Sequence, residues 1–510
     1  MNNNSSSTQF GRNGFLGAII ALPRLTSLKA YVAKGGRGMA VIAMAVAQLL
    51  ATQTSLVAQT AASTGNDVKP AKIEDKGLQK PAWLTELSVG VRESHDDNVY
   101  LGGADKEFLP ATYKVPDGSV AAVEGHGSFF TTISPKIGVD FAKLLDANSA
   151  LQTLSLSYAP DIVRYGDAST ENYTAHRLGA AVKGNADALS FKLDEGFTYI
   201  DGSDLGPTYP GSLLSAYGTG YLRERRKQWQ DRTTFTLQYD QEAWFLRPTA
   251  SLLDYNLLTK QLAGITGYQN YADRYDANGG ADLGYKVDKD LAVTLGYRYG
   301  HQYQEKYSAE IDSFGQTSSS DYQRLLLGFE GKTFSWLDAK VQAGPDFRQY
   351  TDAAPVNDRN PTKFYGEATL AATPSKSDTI TFNYRQWQWV SSTGKVPYYD
   401  SNFDLGYKRK LTDQLSGNLG ARLQSSDYNS GDSYSGTTAK PVVTQNQRND
   451  WFYTFSAGLK YAFTASLSAD IAYAANLARN EQDGLPASQL PESKREFNDQ
   501  IASVGVQYKF

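Results

Sequence analysis

From residue 83 to residue 510 this chain is a succession of short stretches in which every second residue is apolar. In the last of them, IASVGVQYKF, Ala502, Val504, Val506, Tyr508 and Phe510 alternate with Ser503, Gly505, Gln507 and Lys509. A period of two with one apolar face marks a β-strand that separates two different environments. The same pattern puts Leu87, Val89 and Val91 against Ser88, Gly90 and Arg92, and Ile133, Ile137 and Val139 against Ser134, Lys136, Gly138 and Asp140. It continues in pairs, such as Leu283–Tyr285–Val287 turning at Asp288–Asp290 into Leu291–Val293–Leu295.

About 18 such strands can be read along the chain. Their connections alternate short and long. The long ones include Leu101–Gly127, Asp201–Arg226, Glu305–Ser320, Ser425–Arg448 and Arg479–Lys494, rich in Gly, Ser, Asp, Asn and Pro. An up-and-down antiparallel order follows, with tight turns at one end and long loops at the other. An open sheet of that size would expose two edges and twist severely, so closure is expected. A closed circle of about 18 strands has a lumen too wide for side chains to fill. The apolar face must then look outward, and lipid accepts a sheet only as a closed barrel. The expected fold is all-β: a transmembrane up-and-down antiparallel β-barrel of about 18 strands, with short periplasmic turns and long extracellular loops, in the cell outer membrane. Tyr158, Tyr239, Tyr299, Tyr384, Tyr407, Tyr461 and Tyr473 near strand ends suit interfacial girdles, although ordinary strand propensity explains part of their placement. Phe510 and Tyr508, outward on the last strand, are expected to form the signal read by the barrel assembly machinery.

Composition agrees. The chain has 510 residues, 45 Gly, 33 Tyr, 22 Phe and no Cys, so it has no disulfide framework and no thiolate chemistry. Mean hydropathy is −0.45, and no run of about 20 apolar residues offers a membrane-spanning helix. Residues 1–62 hold Arg12, Arg24, Lys29, Lys34 and Arg37 and no acid, and the apolar run Met39–Ala51 follows them. This reads as a signal peptide with a long basic segment, cleaved after Ala58 or Ala62, against the alternative of a buried amphipathic helix. Removing those five cations leaves 45 basic against 54 acidic residues, a net charge of −9. Residues 63–82 form a short periplasmic segment, and 83–510 the barrel.

The polar face is rich in cations. Alternation places Arg92, Lys136, Arg177, Lys183, Lys192, Arg232, Arg247, Arg298, Arg324, Lys340, Arg348, Arg385, Lys408 and Arg422 toward the lumen, with Lys286 and Lys460. Asp140, Asp194, Asp276, Asp282, Glu330, Asp338, Asp346, Glu367, Asp404 and Asp470 share that face. A positive pore wall favouring anions is one reading, because rings of charge set pore selectivity. Pairing and cancellation across strands is the other. Inward glycines such as Gly90, Gly284, Gly296 and Gly328 are expected to leave the lumen open.

Signals for other chemistry are weak. The four histidines are His95 and His126 around the first loop, His176 facing lipid, and His301 at a loop end. None joins a serine in the manner of a barrel hydrolase, so no enzyme activity is expected. Asp96-Asp97-Asn98 offers hard oxygen ligands suited to Ca²⁺, but a solvated loop start accounts for it more simply, and no metal or cofactor is expected. No nucleic-acid motif is present.

The first strand and its exit, LSVGVRESHDDNVYL (Leu87–Leu101), resemble the β-barrel porin 2 family of outer-membrane proteins. So do WFLRPTASLLDYN (Trp244–Asn256) and the aromatic C-terminus. The resemblance implies a porin-like channel for passive diffusion of small hydrophilic solutes, saccharides among them, with outer-membrane lipids around it; the basic inner face adds anions as a solute class. It also implies a link to polysaccharide secretion components. The alternative it leaves is a non-conducting accessory barrel in exopolysaccharide secretion. About 20 residues between the expected cleavage site and the first strand are too few for the plug of an energy-coupled transporter, whose barrels have about 22 strands.

Overall fold

A computed structural model describes residues 80–99, 127–146, 149–202, 227–258, 273–305, 319–351, 362–390, 397–435, 442–482 and 497–510. The expected signal peptide, most of the 63–82 segment and His126 lie outside the described residues.

The wall begins with β1 (Leu84–Asp96), β2 (Ser128–Asp140), β3 (Leu151–Tyr158), β4 (Asp161–Tyr165), β5 (Tyr173–Ala186) and β6 (Leu189–Asp201). It continues with β7 (Gln228–Asp240), β8 (Trp244–Leu257), β9 (Arg274–Lys286), β10 (Leu291–Gln304), β11 (Ser320–Phe334) and β12 (Leu337–Tyr350). The remaining strands are β13 (Thr362–Ala372), β14 (Asp378–Trp389), β15 (Tyr398–Lys410), β16 (Leu415–Ser435), β17 (Val442–Ala462), β18 (Leu467–Gln482) and β19 (Phe497–Lys509). Each pairs antiparallel with its sequence neighbour, except that β3 and β4 share one place in the wall. Both lie between β2 and β5, so the wall has 18 strands.

The break between β3 and β4 has a local cause. Pro160 has no N–H to donate to a ladder. The registers of β2 with β3 (Ile137↔Tyr158) and with β4 (Ile133↔Ile162) converge so that Pro135 comes opposite Pro160. Two facing prolines cannot make a ladder rung. The short sequence after the break, Asp161–Tyr165, does not read as a strand of its own.

β1 closes the sheet on β19, from Ser88↔Lys509 to Asp96↔Ile501. The Phe510 N–H donates to the Leu87 carbonyl at 2.9 Å. With its edges joined, the wall leaves no unpaired edge strand to lipid.

The two faces follow the alternation. On β10 and β11, Leu295 and Leu327 are 59% and 66% exposed, while Arg298 and Arg324 are 8% and 4% exposed. The exposed apolar rows form the outer surface and the polar rows the inner one, as in the outer-membrane barrels whose rules the sequence matches. One of the short connections is the two-residue turn Asp187–Ala188 between Ala186 and Leu189. Asp187 there has φ 51°, a left-handed conformation that Asp tolerates because its short side chain can bond local backbone.

Two expectations need correction. Ser425–Arg448 is largely strand rather than loop. β16 and β17 each run 21 residues and pair as far as Ser435↔Val442, beyond the 13 residues of β15. Their hairpin therefore extends past its neighbour. Nor do the inward glycines simply leave the lumen empty. A Cβ on Gly284 would lie 2.1 Å from the Phe245 ring, and one on Gly296 would lie 2.6 Å from Asp282 Oδ1. Neighbouring side chains use that space.

Candidate functional site: the lumen wall and an inward-folded hairpin

All fourteen cations assigned to the lumen alternate with the outward apolar rows and so lie on the inner face. Most have acidic partners. Lys136 pairs with Glu86 at 2.7 Å, Lys192 with Asp194 at 2.6 Å and Arg92 with Asp470 at 2.5 Å. Arg177 pairs with Asp161, and Arg422 with Asp404. Arg247 takes both oxygens of Glu330, at 2.6 and 2.7 Å, and also reaches Asp282 at 3.1 Å. Arg298 meets the other oxygen of Asp282 at 2.7 Å. Arg324 and Arg348 converge on Asp346 at 2.8 and 3.0 Å. Cancellation across strands therefore governs much of this wall. Lys183, Arg232, Lys340 and Arg385 have no ion-pair partner among the described residues. Lys408 is inward on β15, between Gly406 and Lys410 on the same face.

Stacked rings hold some of these charges. Arg324 lies between Tyr322 and Tyr365, with ring centroids at 4.0 and 4.1 Å. The quadrupole of each ring attracts the flat cation, most strongly where water is excluded. Arg348 also lies over Tyr322, at 4.8 Å.

Among the described residues, the loop end of the β14–β15 hairpin packs against the inner face. Trp389, Val390 and Tyr398 are almost fully buried and form one apolar cluster with Leu253 and Tyr255 of β8 and with Trp387. Leu253 and Tyr255 share the inner face with Phe245 and Arg247, so the hairpin tip has left the wall and crossed toward β8. Polar side chains hold it there through its main chain. Gln302 Nε2 and Arg348 donate to the Gln388 carbonyl at 3.0 and 3.1 Å. Arg274 donates to the Val390 carbonyl at 2.7 Å and lies 5.1 Å from the rings of both Tyr255 and Trp389.

The donors are fixed in turn by a buried network. Gln302 accepts from Arg348 at 2.6 Å and donates to Asp276 at 2.8 Å. Asp276 also accepts from the Tyr322 hydroxyl at 2.9 Å. Networks satisfied at this many points rigidify what they hold.

Arg274, Gln302, Tyr322, Tyr365 and the tip itself are absent from the sequence-based set. One signal was available. Trp387 and Trp389 have the same parity as Asn383 and Arg385, so bulky rings sit where the alternation calls for polar residues.

The outer face has its own departures from the pattern. Glu195 on β6 shares parity with Leu193 and Phe197, yet is 5% exposed and accepts from Thr233 of β7, with Asp231 beside it. The three described histidines are outward. His176 bonds the Tyr158 hydroxyl at 2.8 Å, and His301 bonds Asp321 at 2.8 Å. His95 packs edge-on to Phe129. Asp96 and Asp97 are joined by Asp499, with carboxylate oxygens within 4.8 Å of one another. Two of these oxygens accept main-chain N–H groups, from Asn98 at 2.9 Å and from Gln500 at 2.6 Å.

No family model matches the chain, so the likeness to the porin 2 family remains a resemblance. No curated protein matches it either. Among solved structures it is similar to the outer-membrane protein OpdK of Pseudomonas aeruginosa, crystallised with vanillate. The identity is 11%, over 83% of this chain and 98% of that one, with a TM-score of 0.35. It is similar to OccK2 (OpdF) of the same organism in complex with glucuronate, at 10% identity over 84% of this chain and 100% of that one, with a TM-score of 0.37. It is also similar to the siderophore receptor PirA of Acinetobacter baumannii, at 10% identity over 84% and 81%, with a TM-score of 0.35.

Proposed function

We propose that this protein is an outer-membrane channel through which small hydrophilic anions diffuse passively. Four inward cations with no carboxylate in ion-pair contact among the described residues, Lys183, Arg232, Lys340 and Arg385, carry the reading, although Glu330 and Glu367 face Lys340 and Arg385 across the ladder. Paired charges contribute little net field, whereas unpaired ones on a wet inner face attract counter-ions and raise their local concentration. The inward hairpin narrows the lumen, so a solute must pass close to the wall, where that field is strongest. Polysaccharide secretion components remain as proposed partners.

The test is the reversal potential of single channels of the refolded protein under a potassium chloride gradient. Anion preference is expected, and cation preference would overturn the reading. A second reading, a non-conducting accessory barrel in exopolysaccharide secretion, is favoured by the buried hairpin tip. In that case bilayers containing the folded protein would show no conductance steps.

A further inference from the structure

Arg232 and Arg385 differ from the other lumen arginines in what their guanidinium forks meet. Arg232 lies on β7 between Gly196 and Leu253 in register, so neither neighbouring strand brings it an acid. Among the described residues its hydrogen-bond partner is the Tyr255 hydroxyl, and the charge of Arg385 acts on it. Arg385 lies on β14 opposite Glu367. The oxygens of Glu367, however, accept from Tyr365 at 2.6 Å and from Gln342. Arg385 stacks at 4.4 Å on Trp387 instead, and its Nε is buried with no hydrogen-bond partner among the described residues.

Both arginines are partly exposed on the inner face of their strands. Both border the hairpin cluster, Arg232 through Tyr255 and Arg385 through Trp387. The charge of Arg385 opposes that of Arg232, and the acids Glu367 and Asp276 act on Arg385 and not on Arg232, so an anion at Arg232 would relieve the repulsion.

We propose that Arg232 and Arg385 form an oxyanion-binding site beside the hairpin tip. It would take the carboxylate, phosphate or sulfate group of a passing solute. This rests on the anion-channel reading and deepens it: permeation would be limited by a saturable site rather than by sieving. The chemical class follows from shape. A guanidinium presents two parallel N–H donors that fit two oxygens of one group, and a spherical halide cannot fill both. The same wall already contains that geometry, in the grip of Arg247 on both oxygens of Glu330.

Chloride current through single channels tests the site while acetate, inorganic phosphate or sulfate is added on the loop side at constant ionic strength. Saturable block by at least one oxyanion is expected, with no equivalent effect from bromide. The strongest of the three blockers identifies the solute group. The double variant Arg232→Lys, Arg385→Lys keeps both charges and removes both forks. It should lose about tenfold or more in block affinity, the loss expected for charge-assisted bonds. If the wild-type protein is not blocked by any of the three, or bromide acts as strongly, the site falls while an anion-selective reversal potential leaves the channel reading standing. Equal block of the lysine variant would also overturn it. The wild-type comparison of oxyanion with bromide stands by itself should the variant fail to fold.

Discussion

Arg274 of β9 donates to the main-chain carbonyl of Val390 at 2.7 Å, a contact between residues 116 apart in the sequence. It ties the tip of one hairpin to the wall on the far side of a stretch of lumen. A side-chain donor on a main-chain acceptor holds the tip in position without depending on the identity of the tip residue.

Loosening that tie should widen the channel. Arg274→Ala removes a buried cation along with its bond to the carbonyl and its stacking on Tyr255 and Trp389. Losing a hydrogen bond from a charged donor costs about 1.5–3 kcal/mol, enough to loosen the tip in an otherwise closed wall. Higher single-channel conductance with more gating noise is expected. Conductance equal to wild type would show that the tip does not limit flow.

Gly284 should not accept a large side chain. Its missing Cβ leaves room for Phe245, and Gly284→Val would drive the two together. Overpacking of this kind costs about 1–3 kcal/mol. Urea midpoints of the folded barrel in detergent should fall. The pair Gly284→Val, Phe245→Ala should recover part of the loss, and no recovery would mean that the two residues do not share the space.

Glu195 sits on the face that otherwise meets lipid. Acids there cost less than Arg or Lys but still oppose the bilayer. Glu195→Leu should therefore stabilise the barrel by about 1–2 kcal/mol in lipid vesicles. A loss of stability instead would mean that the bond from Thr233 and the neighbouring Asp231 make this acid a structural part of the wall.

Phe510 and Tyr508 are proposed as the signal for the assembly machinery. Phe510→Ala keeps the main-chain bond from residue 510 to Leu87, so the closed wall should survive refolding in vitro. Assembly in cells should slow, seen as a delayed shift from the heat-denatured to the compact gel band. Unchanged kinetics in cells would remove the ring from that role.

Much of the wall was legible in the sequence. Leu295, Tyr297 and Tyr299 against Gly296 and Arg298 mark the two faces of β10, and the same alternation orients Arg324 and Arg348. Alternation is a local property: successive side chains of a strand point to opposite sides whatever lies beyond it. The break at Pro160 and the long β16–β17 hairpin were harder. A facing proline is known only from register, and a polar strand beyond the membrane has no apolar row to mark it.

The sequence by itself determined a two-faced, closed wall, because each strand carries its own record of oil and water in every second residue. Only the tertiary structure decided which cations find acids and which do not. Arg247 meets Glu330, on a strand well removed from its own, and Arg232 meets none among the described residues. Those pairings depend on how tilted strands stack around the circle and on a hairpin that turns inward. Both are set by contacts between residues far apart in the chain, which no local period encodes.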